Sequence, residues 1–183
     1  MSLILITCPE GCENWLPVVG FDLCDPNVDY GEIERIYLTG QGNGLVDWTD
    51  AAEWALRLDN VTEDDDTLIR TLHVRADQPP AEMTETEISL CRTVNSPKKF
   101  TINYDIDETG IVNHDWMRQI ECGGLFTIWY AAGQYMRGGT HGIDVTIVAN
   151  DNITRGCQEL NLITGTMKWQ DKFTPEKIVN PLI

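Results

Sequence analysis

The sequence predicts a mainly β protein: a single domain built as an antiparallel β-sandwich or barrel-like fold, with one or two short flanking helices and extended terminal arms. Three observations predict this. Short runs rich in β-branched and aromatic residues recur along the chain, most of them alternate apolar and polar residues, and Gly, Pro, Asn or Asp punctuates them. That is the pattern of antiparallel strands with one wet face. A chain of 183 residues also lies in the range of one domain, able to bury roughly 70% of its unfolded surface without a staple.

The strands are expected at Leu3–Thr7, Ile33–Thr39, Leu68–Val74, Glu87–Val94, Phe100–Ile106, Leu125–Ala131, Ile143–Ala149 and Leu160–Trp169. Two helices interrupt them. In DWTDAAEWALRLDN, Asp50 and Glu53 read as an N-cap pair, and Ala51, Trp54, Ala55 and Leu58 share one face that should pack on a sheet. In NHDWMRQIECGG, Asn113 can cap, Trp116, Met117 and Ile120 form the apolar stripe, and Gly123 or Gly124 can end the helix.

Between them, residues 59–80 run from DNVTEDDD to RADQPP and read as an acidic projecting loop or hairpin. AAGQYMRGGTHGIDV reads as a Gly-rich hairpin connection. Residues 1–27 and 173–183 read as arms, the latter extended because Pro175 and Pro181 interrupt regular pairing.

Composition narrows the function. Thirteen Lys and Arg against 29 Asp and Glu leave a formal charge of −16, which repels nucleic acid. No apolar run approaches the roughly 20 residues that span a bilayer, so no membrane role is expected. Leu3–Ile6 has no basic stretch before it, and Cys8 comes too early to follow a cleavable leader, so neither export nor a lipid anchor is expected. The sequons at Asn60 and Asn152 then read as chance.

Candidate chemistry is thin. DIDETGIVNHDW offers Asp105, Asp107 and Gly110 at calcium-loop offsets but places Trp116 where the bidentate Glu belongs, so a turn and a capped helix is the better reading. The carboxylates Glu63, Asp64, Asp65 and Asp66 suit a solvated, self-repelling loop better than a metal site. Ser2, Ser89 and Ser96 lie in no G-x-S-x-G turn, no spacing pairs Cys91 or Cys122 with His73, His114 or His141, and no phosphate-cradling glycine loop follows a strand. RGGTHG reads as turn glycine. Neither a catalytic residue nor a cofactor is therefore assigned.

Of six cysteines, Cys8, Cys12 and Cys24 cluster near the N-terminus around CPEGC. Reduced packing cysteines come first, with a local disulfide or a zinc site as the alternatives, and the segment reads as a structural clasp for its arm.

The order of elements, together with FTINYDIDETGIVNHDWMRQIECGGLFTIWY and LNLITGTMKWQDKFTPEKIVNPL, resembles virion structural proteins of tailed phages, nearest to the major tail or tail-tube family, over most of the chain from about Gly20. The resemblance implies a non-enzymatic subunit, made in the host cytoplasm and residing in the virion. Such a subunit forms a homo-oligomeric ring or tube with other virion proteins around a lumen through which DNA passes without tight binding. Under it, residues 60–80 would join rings, and Trp48, Trp54 and Trp169 would fill either the core or a subunit interface, with Asp64, Asp65 and Asp66 as further assembly candidates. The cysteine-rich arm departs from that pattern. A capsid decoration protein or a loop-mediated binding β-sandwich is the alternative.

Overall fold

The computed structural model describes residues 31–58, 67–89, 92–107, 109–121, 124–153 and 161–183. Six long antiparallel strands make the wall of a barrel: β1 (Ile33–Gly40), β2 (Arg70–Asp77), β5 (Lys98–Ile106), β9 (Leu162–Asp171), β8 (Ile143–Asn152) and β6 (Leu125–Ala132), in that spatial order. β1 also pairs with β6, Tyr37 opposite Trp129 and Leu38 opposite Ile128, so the sheet closes on itself. Of the two architectures the pattern allowed, the described strands make the barrel. Two short strands, β7 (Tyr135–Arg137) and β10 (Lys177–Val179), extend it sideways from the end of β6. A separate two-stranded ribbon is formed by β3 (Glu85–Ser89) and β4 (Arg92–Asn95).

Alternation builds the interior. β5 turns Phe100, Ile102, Tyr104 and Ile106 inward, and β8 turns Ile143, Val145, Ile147 and Ala149 inward, each separated by a polar or exposed residue. Closing six strands leaves room only for side chains, and the space beside Gly165 is taken by a neighbouring ring. This residue lies opposite Tyr104 on the β5–β9 ladder. A Cβ at 165 would collide with the Tyr104 ring and the Val148 carbonyl oxygen. The glycine is thus the space into which the tyrosine fits, and the Tyr104 hydroxyl donates to that same carbonyl at 3.2 Å. Burial raises the Tyr104 pKa.

Helix α2 (Ile111–Glu121) follows β5 and packs on β8, adding Met117 and Ile120 to the interior at one end of the barrel. It starts at Ile111, with the His114 N–H donating to the Gly110 carbonyl at 3.0 Å. Asn113 therefore lies inside the helix and not at its cap. At the other end, Ala81 of the loop after β2 packs against the interior.

A second core lies outside the barrel. Helix α1 (Ala51–Leu58) lays Trp54 on the outer faces of β1 and β6, where its ring meets Tyr37 at 5.3 Å and Trp129 at 5.2 Å, both edge-on. Its indole N–H donates to the Trp48 carbonyl at 2.9 Å. Burying one such aromatic, roughly 200 Å² at about 25 cal/mol per Å², contributes about 5 kcal/mol.

The helix entry is well capped: the Asp50 carboxylate accepts from the Ala52 N–H at 2.9 Å. Glu53 reaches back beyond Asp50 to accept from the Val46 and Asp47 N–H groups, both at 2.8 Å. Thr49 donates to Asp47 from its hydroxyl and from its backbone, which holds the Asp47 pKa below the ordinary carboxylate value. At the exit, the Arg57 guanidinium donates to the carbonyls of Thr67, Gly44 and Asn43 at 2.6–2.8 Å, tying the helix end to the start of β2 and to the preceding loop.

Several sequence expectations are corrected. Glu87–Val94 is the ribbon β3–β4 and not one strand, because the chain reverses between Ser89 and Arg92. The segment 59–80 is not one projecting hairpin: Arg70–Asp77 is a wall strand, residues 78–80 cap the barrel's mouth, and 59–66 lie outside the described residues. The tail 173–183 packs back on the body of the chain, with β10 paired to β7, Asn180 buried and Leu182 packed on the outer core. Residues 1–27, with the strand expected at Leu3–Thr7, lie outside the described residues.

Gly165→Ala is expected to lower stability by about 1–3 kcal/mol, since the added methyl has no room beside Tyr104. A fall in the urea midpoint at unchanged slope would show it; an unchanged midpoint would mean that the ring moves aside freely.

Candidate functional site

The barrel's two ends differ. One is covered by α2, whereas the mouth, where β2 ends and β5 begins, opens into clefts. One, of about 1100 Å³, is lined by Gln78, Pro79 and Pro80, by Phe100 and Tyr130, by the cations Arg75, Lys98 and Arg137, and by the carboxylates Glu32, Asp77 and Asp105. A second, of about 760 Å³, runs between the turn 138–144 and residues 170–176, and a third, of about 560 Å³, lies over Lys99, Thr101 and Lys168.

An aromatic floor joins them. Phe100 stacks on Trp169 with ring centres 5.1 Å apart and planes 9° apart, and Tyr130 leans against Trp169 at 6.4 Å. The Tyr130 hydroxyl donates to the Gln78 side-chain carbonyl at 2.6 Å, which ties the end of β2 to β6 across the mouth. Burial pushes the Tyr130 pKa up to about 12, against the opposing effects of Arg137 and the Gln78 hydrogen bond. The Trp169 indole N–H is buried and has no acceptor among the described residues.

The glycines of RGGTHG are explained by the turn they form. Gly139 and Gly142 have φ of 80° and 69°, and a Cβ at Gly138 or Gly142 would strike the Trp129 ring. The Trp129 indole N–H donates to the Gly139 carbonyl at 2.7 Å, so the turn wraps around that ring. Behind it, Thr127 donates to Asp144 at 2.6 Å and accepts from the Gly42 N–H at 3.0 Å, fastening the loop after β1 to β6 and β8.

The residues singled out from sequence fall as follows. Trp48 and Trp54 lie in the outer core and Trp169 in the barrel interior, so all three are spent inside the subunit. Asp64, Asp65 and Asp66 lie outside the described residues, as do Cys8, Cys12, Cys24, Cys91, Cys122 and Cys157. His73, His114 and His141 stand apart on β2, on α2 and in the Gly-rich turn. Among the described residues no group of three His, Cys, Asp or Glu side chains is placed to hold a metal ion. The lining of the cleft of about 1100 Å³ presents aromatic edges, hydrogen-bonding groups and charge of both signs, with Lys98, Thr174, Glu32, Asp77 and Asp105 among its side chains.

Sequence reasoning missed two features. Arg57 reads as an ordinary cation in a helix, yet all three of its guanidinium nitrogens are engaged by backbone carbonyls. The second is the hydrogen bond from the Tyr130 hydroxyl to the Gln78 side-chain carbonyl across the mouth, for which the sequence carries no local signal. Searches against protein-family models, characterised proteins and solved structures found no match to the chain.

Trp169→Phe is expected to cost about 1–3 kcal/mol less than Trp129→Phe. The ring loss is the same, but only Trp129 forfeits a hydrogen bond and leaves the Gly139 carbonyl without its donor. Equal losses in paired denaturation curves would contradict this.

Alkali should also weaken the fold. The Tyr130 pKa in the folded protein lies above its ordinary value of 10, so its contribution is complete below pH 10 and is lost as pH rises through about 12. Absorbance of phenolate and circular dichroism, followed together, should show late ionisation coinciding with unfolding, and Tyr130→Phe should remove part of that dependence.

Proposed function

We infer that the chain is a non-enzymatic structural protein of a tailed-phage virion, a tail-tube subunit that self-assembles into stacked rings around a DNA-conducting lumen. The observation that carries this reading is the ribbon β3–β4. Among the described residues it pairs only with itself, while every other described strand belongs to the main sheet. An isolated two-stranded ribbon is marginal in water, so its ordered form gains most from contact outside its own subunit. It is rooted firmly, with the Ser96 N–H donating to the Thr84 carbonyl at 2.9 Å and with Glu82 and Lys99 exchanging backbone hydrogen bonds at 2.8 and 2.9 Å.

Two further features support a tube. The barrel interior is filled by side chains, so the conduit for DNA lies between copies and not through one. The charge of −16 gives the assembled wall a field that repels a polyanion and lets it pass without adhering. Partners on this reading are further copies of the chain and other virion proteins. The alternative, a decoration or binding module, is favoured by the roughly 1100 Å³ cleft at the mouth, because β-barrel mouths are common ligand sites.

Concentrated pure protein should form rings or tubes of uniform width in negative-stain micrographs; a persistent monomer that binds capsids would favour the decoration module instead. Replacing residues 85–95 by a short glycine turn should leave the melting temperature of the barrel within a few degrees while abolishing assembly. A large fall in melting temperature would mean that the ribbon serves the monomer.

A further inference from the structure

Asn43 and Gly44 are the one Asn-Gly pair in the chain, and both lie half-buried in the loop that leads from β1 to α1. Residue 44 has to be glycine, because a Cβ there would come within 2.9 Å of the His141 Cα and 3.1 Å of the Thr140 carbonyl oxygen. The Leu45 N–H draws the loop against the Gly-rich turn at that point, donating to the Thr140 carbonyl at 2.8 Å. Close packing therefore imposes a dipeptide whose second residue leaves its own nitrogen sterically open.

That nitrogen is also chemically available. The Asn43 and Leu45 N–H groups on either side donate to the Gly40 and Thr140 carbonyls, whereas the Gly44 N–H has no acceptor among the described residues. The carbonyl of the same peptide unit, that of Asn43, accepts from the Arg57 Nη2 at 2.7 Å, and the Gly44 carbonyl accepts from Nη1 at 2.8 Å. A guanidinium is always charged, and a positive charge beside an acidic group favours its anionic form. Arg57 thus makes the Gly44 N–H a stronger acid than that of an ordinary peptide.

We propose that Asn43 is a site of spontaneous covalent modification in the folded protein, an intramolecular deamidation in which Arg57 activates the attacking nitrogen. The Gly44 nitrogen loses its proton to solvent and bonds to the Asn43 Cγ. The bond from Cγ to the side-chain nitrogen breaks, and the NH2 group takes up a proton and leaves as ammonia. The product is a five-membered imide. Water then adds to one of its two carbonyls and breaks that carbon's bond to the ring nitrogen. Opening at Cγ leaves aspartate; opening at the main-chain carbonyl leaves isoaspartate, whose backbone runs through the former side chain. Either product adds one negative charge, and the isoaspartate lengthens the loop where Arg57 ties it to α1.

Other asparagines provide an internal comparison. Asn95 precedes Ser96, whose N–H is held by the Thr84 carbonyl at 2.9 Å, and Asn113 precedes His114, whose N–H is held by the Gly110 carbonyl at 3.0 Å. Asn180 precedes Pro181, which has no N–H to lose.

The test is to hold the folded protein at mildly alkaline pH and digest it with trypsin. The peptide Ile36–Arg57 contains Asn43 as its sole asparagine. Mass spectrometry should show NH2 replaced by OH in that peptide before Asn95 or Asn113 changes, with aspartate and isoaspartate forms separating on chromatography. Asn43→Gln should abolish the change, and Arg57→Gln should slow it about tenfold, the effect of one unit in the acidity of the nitrogen. In unmodified wild-type protein, base-catalysed hydrogen exchange reads the same deprotonation, so the Gly44 amide should exchange ahead of the Leu45 amide. An Asn43 that converts only in the unfolded chain, a Gly44 amide slower than that of Leu45, or faster conversion in a folded Arg57→Gln variant would overturn the proposal. The two wild-type measurements stand whether or not that variant folds.

Discussion

The antiparallel pairing of β1 with β6 is the constraint on which the rest of the structure depends. Without it the sheet would have open edges along Ile33–Gly40 and Leu125–Ala132; with it six strands enclose a filled interior. The same ladder builds both cores, because Ile36, Leu38, Ile128 and Tyr130 face inward while Tyr37 and Trp129 face outward beneath α1. One set of backbone hydrogen bonds thereby aligns two hydrophobic surfaces, and a slip of one residue would exchange them.

That double duty explains the character of individual strands. β6, LFTIWYAA, is buried almost continuously because the barrel lies on one side and the α1 layer on the other. β8, IDVTIVANDN, alternates strictly because its outer face is wet. The outer surfaces of β2, β5, β9 and β8 carry Thr71, Thr101, Thr146, Thr164 and Thr166, exposed or half-buried, among charged residues. Threonine suits a pleated, solvated face, since its branched carbon fits the strand and its hydroxyl keeps hydrogen bonding to water.

Much of the fold was legible in the residues. The strands at Ile33, Phe100, Leu125, Ile143 and Leu160 were visible from alternation or from apolar runs, and α1 from the spacing of Trp54 and Leu58 behind Asp50. Glu87–Val94 was misread because its β propensity runs on from β3 into β4, with no Gly, Pro, Asn or Asp between the two strands to mark a turn. The wall strand Arg70–Asp77 was visible in large part as Leu68–Val74, but the segment 59–80 around it was assigned to a projecting loop or hairpin because the acidic run before the strand and the prolines after it resemble a loop. The candidate site was much less legible, since the aromatic floor joins Phe100 and Trp169, cross-strand partners on β5 and β9, to Tyr130 on β6, a strand that pairs with neither and meets them only across the closed interior.

By itself the sequence determined the antiparallel β character, the positions of most strands and the net negative field, because those follow from the period of side chains along one strand and from counting charges. Tertiary structure alone decided that the sheet closes, that Trp54 and Trp129 form an outer core while Trp169 fills the inner one, and that β2 outruns β5 by four residues. The physical reason is that alternation states which residues are buried together but not which strands are neighbours. Strand order, closure and free edges are set by pairing across long separations, which no local pattern encodes.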